Sequence, residues 1–402
     1  MAAKIKKMLL IKGNSLYNAV RVFMDELKGE FEKKGIRCTF FDFSLYTDTS
    51  GMLSNEGYIE LTKHLEEQPD AIFSACGMLL TSLEKIMKSQ SVSIPMFAFF
   101  VDHPMWNFNR LSMFSEGYYA FFVDNTFARY ASGYYNDFKV EGVVYQAGIL
   151  SKKYMKPFEK RKRSIVFFGS YNSAQVIYQE IMDLSAMVGS SIAFVCEMMD
   201  YGIVHTEETI EEIATHIFLL HGILIPKEKF PKILSKMTIV ESYLRAYFRI
   251  RSLQALVDSG IEVDVYGDGW ENLPVKRREY LLVHSPVDYL EMADIMTEYR
   301  YSLNVLPWAK DGFHDRIATS MLNGCICITD TSTYIEAENL PGDKLIAYHL
   351  NEEDEMVHMV KESMASEKKA EEMARKGQEY ALENHTWENR AAQFLKMMEY
   401  HL

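Results

Sequence analysis

The sequence predicts an α/β protein with two open sheets, a short basic linker between them and a helical insertion in the second part. Two observations predict this class. Short apolar runs alternate with longer stretches of helical periodicity over most of the chain, which is the pattern of parallel strands joined by crossover helices. A length of 402 residues suggests about two to three domains, because a domain with one sheet of ordinary size needs a shorter chain.

Composition and charge exclude several classes of protein. With 48% hydrophobic and 25% charged residues, the chain is ordinary for a soluble globular enzyme. A net charge of −13 argues against nucleic acid as a partner, because binding to a phosphate backbone normally requires a basic surface. No segment approaches the roughly 20 apolar residues that span a bilayer, so no transmembrane segment is expected.

The cysteines indicate a reducing compartment. They number five, an odd count, and none of them forms a C-x-x-C pair or has the partner spacing of a zinc site. We therefore expect reduced structural thiols, a cytoplasmic location and no metal site.

Residues 1–155 are expected to form the first unit, in which strands and helices alternate. A helix is predicted over 16–34, and Gly35 separates it from the following strand. The predicted strands of this unit are 7–11, 37–43, 71–74, 96–101, 120–123 and 143–146.

Ligands of open α/β sheets bind beyond the carboxyl ends of the strands. Four segments are expected at that edge of the first sheet: Gly13-Asn14-Ser15, Cys76-Gly77-Met78, Asp102-His103-Pro104 and Asp124-Asn125. Asp102 and His103 are the catalytic candidates, because a His beside an Asp at a strand end can act as a base or contact a substrate. The alternative is that His103 only satisfies backbone groups in a turn.

A polar, basic stretch over 151–163 has the composition of a linker, and a second unit over 164–385 follows it. Its first strand, 164–168, ends in Gly169-Ser170, small residues that allow a ligand to approach the backbone. A helical insertion is expected over about 172–236, with Thr206 as an N-cap and Gly222 as a stop. A longer amphipathic helix over 237–259 follows it.

The next strand, 261–266, leads into Gly267-Asp268-Gly269-Trp270. A lone G-x-G is weak evidence for a phosphate loop, because any tight turn from strand to helix can use it. The pattern then predicts a helix over 289–299 and a last strand over 344–348. The remainder is helical and charged.

The segment 303–330 carries the strongest functional signal. Apolar runs at 303–306 and 325–329 predict two buried strands, and a short helix between them is expected to begin near Arg316 with Asp315 as its N-cap and Gly324 as its stop. A helix N-terminus beside an arginine at this edge of a sheet favours phosphate. The alternative is a surface crossover whose arginine pairs with a carboxylate.

This segment resembles the donor-binding segment of family 4-type, group 1 glycosyltransferases of the GT-B fold. Asp311-Gly312-Phe313 corresponds to Glu-Gly-Phe in that family, and residues 319–324 correspond to Glu-Ala-Met-Ala-x-Gly. Two positions depart from the pattern: Asp311 replaces the first Glu, and Thr319 replaces the second, which commonly holds the nucleotide's ribose. The variant with His314-Asp315-Arg316 is more similar to the spore-protein-like bacterial branch of the group.

The resemblance implies two Rossmann-like domains that face each other across a cleft, with a C-terminal helix over 386–402, opened by Trp387, crossing back to the first. It implies transfer from a nucleotide sugar, with UDP-sugar as the expected donor, and retention of configuration. Donor contacts are expected at Gly169, Ser170, Tyr266, Gly267, Gly269, Trp270, His284, Val287, Asp311, Gly312, His314, Arg316 and Thr319.

The sequence therefore predicts a bacterial glycosyltransferase in which Arg316 stabilises the departing diphosphate. Metal independence is expected because no D-x-D pair is present; the nearest carboxylate pair, Glu262 and Asp264, falls in a predicted strand. The acceptor is left open among protein, glycan and glycolipid. The basic run 160–163 is interpreted as a solvated linker, with steering of an anionic donor or peripheral membrane contact as alternatives.

Two rival functions stay open at this point. A nucleotide-sugar epimerase on the same fold would need no acceptor. A non-catalytic GT-B subunit that assists a glycosyltransferase or recognises a glycosylated protein is favoured by Thr319, because the family's acidic residue is missing there.

Overall fold

The structure is a computed structural model that describes residues 5–13, 16–47, 52–188 and 193–401. The chain divides into two compact units. The first contains residues 1–147 and 385–402, and the second contains residues 148–384.

The first unit is built on a parallel sheet of six strands in the order β2-β1-β3-β4-β5-β6. Its strands are β1 Lys7–Lys12, β2 Arg37–Asp42, β3 Ala71–Ala75, β4 Met96–Phe100, β5 Tyr118–Phe122 and β6 Lys139–Val143. Its helices are α1 Ala19–Lys33, α2 Asn55–Glu66, α3 Leu80–Gln90, α4 Phe108–Leu111, α5 Asn125–Tyr134 and α16 Trp387–Met398.

The last helix of the chain completes the core of this first unit. Phe394 on α16 packs edge-on against Phe73, Phe99 and Phe121 of three central strands, with ring centroids 5.0 to 5.1 Å apart. At the start of α16, Trp387 lies 4.9 Å from Phe23 of α1. These buried aromatic contacts tie residues 385–402 to the first unit.

The second unit has its own parallel sheet of six strands in the order β12-β11-β10-β7-β8-β9. Its strands are β7 Lys162–Phe168, β8 Val263–Tyr266, β9 Leu281–His284, β10 Tyr299–Asn304, β11 Ile326–Asp330 and β12 Ile346–Tyr348. Its helices are α6 Ala174–Val188, α7 Ala193–Val204, α8 Ile210–Leu220, α9 Phe230–Leu234, α10 Thr238–Asp258, α11 Tyr289–Met296, α12 Asp315–Leu322, α13 Thr333–Ala337, α14 Glu353–Ala365 and α15 Glu367–Asn384. The predicted fold class, an α/β protein with two open parallel sheets, is confirmed.

Two strands were predicted too late in the sequence. The strand predicted at 143–146 is β6, which ends at Val143, and the strand predicted at 303–306 is β10, which ends at Asn304. The apolar run did not show where β10 begins, because the first half of this central strand contains buried Arg300. The charge of Arg300 is compensated by the carbonyl oxygen of Glu159 at 2.6 Å and by Glu367. Sequence periodicity cannot show such long-range compensation.

In the sequence, helices α6 to α9 lie between β7 and α10. The N-cap of α8 is Thr209 and not Thr206 as predicted: its side chain and that of Glu212 form a reciprocal capping box. Gly222 ends the helix with φ +69°, as predicted from its freedom to adopt the left-handed conformation.

All five cysteines are buried free thiols. None of the helices that the structure describes has an apolar stretch long enough to cross a lipid bilayer.

Candidate anion-binding site of the second unit

Two loops meet closely where β7 and β8 end. The N–H of Gly169 donates to the carbonyl oxygen of Tyr266 at 3.0 Å, and the N–H of Tyr171 donates to that of Asp268 at 2.8 Å. A side-chain methyl at Gly267 would overlap the carbonyl oxygen of Gly169, and Gly169 itself has φ +142°. Glycine is therefore required at both positions for the loops to pack.

Trp270 stabilises this pair of loops. Its indole N–H donates to the carbonyl oxygen of Gly169 at 2.6 Å, and its buried ring packs edge-on against Phe167 at 5.5 Å. Gly269 precedes it with φ +85°, and Ser170 is half-buried beside Gly169. The contacts of Trp270 give it a structural role, and donor binding by the loop residues stays a prediction.

Helix α12 begins one residue earlier than predicted. Its N-cap is His314, whose Nδ1 accepts from the N–H of Arg316 at 3.2 Å, so the prediction of Asp315 as the N-cap is wrong. A histidine ring nitrogen can take this role because the ring is neutral here, so that Nδ1 accepts a hydrogen bond as a capping oxygen does. At the other end Gly324 has φ +69°, and its N–H and that of Cys325 close a Schellman turn on Met321 and Ser320.

Arg316 connects the start of α12 to the end of β7. Its Nη1 donates to the carbonyl oxygen of Phe168 at 2.8 Å, which places the guanidinium beside the Gly169 loop. Burial lowers the pKa of Arg316, and only part of that shift is opposed by the neighbouring carboxyl of Asp315. The predicted arginine therefore lies at the predicted edge of the sheet.

Two arginines of α10 share this region, and the sequence analysis did not single them out. Arg249 donates from Nε to the carbonyl oxygen of Val305 at 3.4 Å, just beyond the end of β10. Arg245, one helical turn earlier, bonds to Glu241 at 2.7 Å, and its guanidinium carbon lies 3.9 Å from the ring centre of Trp308. Arginines four residues apart on one helix face were the available signal.

The three guanidinium groups and His314 influence one another. Burial, then the charges of Arg316 and Arg245, lowers the pKa of Arg249 well below its usual value. Burial and the same arginines with Arg249 lower the pKa of His314, which keeps its ring neutral at physiological pH. We call Arg245, Arg249 and Arg316, together with the neutral ring of His314, the cationic cluster. An anion beside it would offset the repulsion among the three arginines.

The carboxyl groups near the cationic cluster are buried. Burial raises the pKa of Asp330 to about 6, although its Oδ1 accepts from the N–H of Leu306 at 2.8 Å. Burial also raises the pKa of Asp315, against the charge of Arg316, and Nε2 of His314 lies 3.1 Å from its Oδ1. Glu241 pairs directly with Arg245. Burial destabilises the ionised form of Asp315 and Asp330, so these two carboxyl groups neutralise the remaining arginines incompletely.

The loop before α12 is fixed by the turn after β11. The hydroxyl of Ser332 donates to the carbonyl oxygen of Gly312 at 2.8 Å, and Phe313 packs edge-on against Tyr334 at 5.5 Å. Asp311 is half-buried and Gly312 is buried in this loop. Their expected contacts with a donor stay predictions.

Thr319 is completely buried within the second unit. Its hydroxyl accepts from the N–H of Ile149 at 3.1 Å and lies 3.2 Å from the hydroxyl of Tyr289. A side-chain methyl at Gly148 would overlap the backbone of Ala318 and Thr319, so this part of the chain runs directly along α12. In the structure the hydroxyl of Thr319 holds that segment, and its expected contact with a ribose stays a prediction.

An aromatic stack lies across the ends of three strands. Tyr266 is stacked on Phe168 at 5.3 Å and on His284 at 4.4 Å between ring centres. Nε2 of His284 bonds to Oδ1 of buried Asp264 at 2.6 Å, which fixes the plane of the imidazole. Val287, half-buried, follows in the turn after β9.

The catalytic candidates of the first unit are placed differently. His103 is only 2% exposed, its Nδ1 accepts from the N–H of Met105 at 3.1 Å, and its ring packs against Phe127 and Tyr130. Asp102 is exposed. These contacts fit the alternative role of His103 in a turn, and its catalytic role is untested; Asn14 and Ser15 of the same edge lie outside the described residues.

In the part of the chain that the structure describes, one group of side chains has the spacing of metal ligands. Ligand atoms of His205, Glu207 and Glu208 lie within 4.8 Å of one another just after α7. Exposed acidic groups of this kind are common without an ion. His205 and Glu208 line one cavity with Glu241 and Trp308, the two residues that Arg245 contacts.

Comparison with known proteins was made with sequence families and with solved structures. The model of a family described as glycosyl transferase-like matches residues 245–396, which include the two α10 arginines and α12. A comparison with curated protein sequences gave no match.

Several solved structures share the fold over nearly the whole chain. Sucrose-phosphate synthase from Thermosynechococcus elongatus is similar at 8% identity and a TM-score of 0.55, covering 98% of each chain. The HepE protein of Anabaena, in complex with UDP and glucose, is similar at 11% identity and 0.54, covering 98% of this chain and all (100%) of that one. An alpha-glucosyltransferase in complex with UDP-glucose and DNA containing an abasic site is similar at 12% identity and 0.55, covering 98% and 99%.

These comparisons establish the fold. The chain has the α/β fold with two parallel six-stranded sheets that GT-B glycosyltransferases share, and its residues 245–396 are similar in sequence to glycosyltransferases. At 8% to 12% identity the solved structures carry no conclusion about substrates.

Proposed function

We propose that this GT-B protein is a glycosyltransferase that moves a sugar from a nucleotide-sugar donor to an acceptor, and that the cationic cluster binds the donor's diphosphate. One observation carries the proposal: Arg316 from α12 and Arg249 from α10 bond to the chain just where β7 and β10 end. Ligands of parallel α/β sheets bind at that edge.

The chemistry needs positive charge on the leaving group. As the bond between the sugar and the diphosphate breaks, negative charge grows on the phosphate oxygens, and fixed guanidinium donors stabilise it without reorganisation. Arg316 is fixed by Phe168, and Arg245 is fixed by its stacking on Trp308. The N-terminal amides of α12 add to this field.

We propose that the reaction needs no metal and retains the configuration of the sugar. Support for metal independence comes from the arginines, which supply charge that a metal would otherwise provide. Of the carboxylate pair, Glu262 precedes β8 and Asp264 lies within it, where Ser164 and His284 bond to Asp264. Retention rests on the resemblance of segment 303–330 to retaining enzymes.

We propose UDP as the nucleotide, with the base near His284 and Val287 at the end of β9. The similar HepE protein and alpha-glucosyltransferase are complexes with UDP or UDP-glucose, and this supports the choice. The buried free thiols support a reducing compartment, and we propose the bacterial cytoplasm. The acceptor, whether protein, glycan or glycolipid, is left to experiment.

The test is the release of nucleoside diphosphate from UDP-, GDP- and dTDP-sugars by the purified protein, with Arg316→Ala in parallel. Slow hydrolysis of one donor, lost in the variant, is the expected result. Product analysis in the same reaction detects an epimerase, which would convert the donor sugar without releasing the diphosphate. No release and no binding of any donor by calorimetry would overturn the proposal.

A second candidate is a non-catalytic subunit that assists another glycosyltransferase. It is favoured by Thr319, which replaces the acidic residue of the resembled family and is buried with its hydroxyl engaged. Binding of UDP without turnover, even with a range of acceptors, is the result expected of such a subunit.

A further inference from the structure

The last residues of α8 and the turn that follows them present an unusual run of exposed apolar side chains. Leu219, Leu220, Ile223 and Leu224 are 53%, 67%, 38% and 82% exposed, respectively. We call residues 219–224 the insertion tip. Single exposed leucines are ordinary, but four large apolar side chains within six consecutive residues form a patch that water solvates poorly.

The geometry of the tip follows from how α8 ends. Gly222 adopts φ +69°, and the N–H of Ile223 bonds back to the carbonyl oxygen of Phe218 at 2.9 Å. Ile213 and Ile217 on the other face of α8 are buried and anchor the helix. The last turn is thus held in place while its leucines point away from the core.

A second set of contacts fixes the tip on α7. Nε2 of His221 lies 2.6 Å from Oε2 of Glu197, and the His221 ring packs edge-on against Phe194 at 4.6 Å. The exposed apolar side chains are therefore carried by an ordered turn between helices.

Positive charge follows the tip directly. Lys227, Lys229, Lys232 and Lys236 are exposed, and none of them pairs with a carboxylate among the residues that the structure describes. Glu228 is the one carboxylate in the sequence between 219 and 236. Of the other carboxylates nearby, Glu197 is paired with His221 at the tip, whereas Glu207, Glu208, Glu211 and Glu212 lie at the opposite end of α8, roughly 15 Å away.

We propose that the insertion tip docks on a lipid bilayer that contains anionic phospholipid, with the leucines in the interface and the lysines on lipid phosphates. Apolar side chains flanked by lysines are what an anionic bilayer attracts, and here they occur in a chain whose net charge is −13. A symmetric contact with a second copy would bring lysines against lysines, which disfavours that occupant. The inference does not rest on the proposed function, because docking needs neither donor nor acceptor.

The apolar part is tested by flotation of the full chain with vesicles of phosphatidylcholine and phosphatidylglycerol, and with vesicles of phosphatidylcholine alone. The native protein floats with the anionic vesicles and not with the neutral ones. Leu220→Ser with Leu224→Ser lowers the partition coefficient at least about tenfold. Leu382→Ser, at a 45% exposed leucine of α15, is the matched control and leaves it unchanged.

The basic part is tested by reversing charge. Lys227→Glu, Lys229→Glu and Lys232→Glu together weaken binding at least about tenfold, since each lysine near an anionic surface contributes to affinity. The same change at exposed Lys361, Lys368 and Lys369 alters net charge equally and is the control. Thermal melting confirms that each variant is folded.

Four results would overturn the proposal. The first is that the native protein fails to float with anionic vesicles. The second is that the tip variants bind as well as the native protein, and the third is that both sets of lysine variants lose binding equally. A tip variant that instead lowers the mass of the protein in light scattering identifies a second copy as the occupant and also overturns it.

Discussion

Arg316 donates from Nη1 to the carbonyl oxygen of Phe168 at 2.8 Å, so the first turn of α12 is bonded to the last residue of β7 across 148 positions of sequence. The bond uses one of the five N–H donors of the guanidinium and fixes its plane. A fixed guanidinium at the carboxyl edge of a parallel sheet is preorganised for a phosphate.

Replacing Arg316 by Ala is expected to lower the rate of UDP release by about 100- to 1,000-fold, as for the loss of one preorganised donor to a developing negative charge. The measurement is the initial rate of release from the preferred donor. Arg251→Ala is the control, because Arg251 pairs with Glu353 outside the cluster. A rate unchanged by Arg316→Ala would show that Arg316 does not stabilise the departing diphosphate.

Replacing Arg249 by Met is expected to separate binding from stability. The native arginine is buried beside like charges, which lower its pKa, so an apolar side chain there leaves the melting temperature equal or higher. Affinity for UDP falls about tenfold to 100-fold, the usual loss for a charge-assisted hydrogen bond. Calorimetry and thermal melting of the same samples give both quantities.

Arg251→Met is the matched control for that experiment, on the same helix two residues away. It breaks an ion pair with Glu353 and should lower stability without changing affinity for UDP. If Arg249→Met binds UDP like the native protein, the α10 arginines do not belong to the donor site.

The sequence was sufficient for the fold because the signals that define it are local. Runs such as Ala71–Ala75 and Ile326–Asp330 are buried on both faces, as parallel strands covered by helices are, and their apolar composition marks them. β10 was placed too late because its first half contains buried Arg300, which depends on a partner 141 residues away.

The site was predicted only in part for the same physical reason. Arg316 follows a recognisable loop and lies where the motif put it, whereas Arg249 reaches the site through a bond to Val305, 56 residues later. Asp315 is a common N-cap residue, yet the ring of His314 caps the helix, because burial keeps that ring neutral and able to accept. Contacts of this kind become visible only once the chain is folded.

Gly267→Ala is expected to destabilise the second unit strongly, by about 3 kcal/mol or more, because the new methyl would overlap the carbonyl oxygen of Gly169. It should also abolish binding of UDP. Gly29→Ala, in α1 with open space around it, is the control and should raise stability slightly. The measurement is the midpoint of urea unfolding of each variant. Equal midpoints for both variants would show that the two loops can separate.

Acid should weaken the first unit through His385. Burial, then the charge of Arg390, lowers the pKa of His385 well below its usual value, so the ring stays neutral in the folded protein. The unfolded chain protonates it below about pH 6.5 and so binds the extra proton. The free energy of unfolding therefore falls as pH decreases below about 6.5, by up to about 1.4 kcal/mol per pH unit for this group.

Nη2 of Arg390 lies 2.6 Å from Nδ1 of His385. The substitution His385→Asn removes this titration and keeps an acceptor for Arg390. The urea midpoint of the variant should change less than that of the native protein between about pH 7 and pH 5. Parallel pH profiles for the two proteins would show that His385 is not the group responsible.

Thr319→Glu tests whether the missing acidic residue is what limits activity. If catalysis needed the acidic residue of the resembled family, Thr319→Glu would create activity in a non-catalytic subunit. The buried site argues otherwise: a carboxylate there would lose its solvation and displace the bond to Ile149, at a cost of several kcal/mol. We expect Thr319→Glu to be less stable and no more active, whereas Thr319→Ser keeps the hydroxyl and behaves like the native protein.

Thr319→Val isolates the hydroxyl itself, because it preserves shape and leaves the N–H of Ile149 without its acceptor, at about 1–3 kcal/mol. If the hydroxyl only anchors residues 148–151, this variant loses stability while its affinity for UDP stays the same. If the hydroxyl contacts the ribose as the sequence predicts, affinity for UDP falls and affinity for inorganic diphosphate does not. The ratio of the two affinities, measured by calorimetry on Thr319→Val and Thr319→Ser, therefore separates an anchoring role from a role in the donor site.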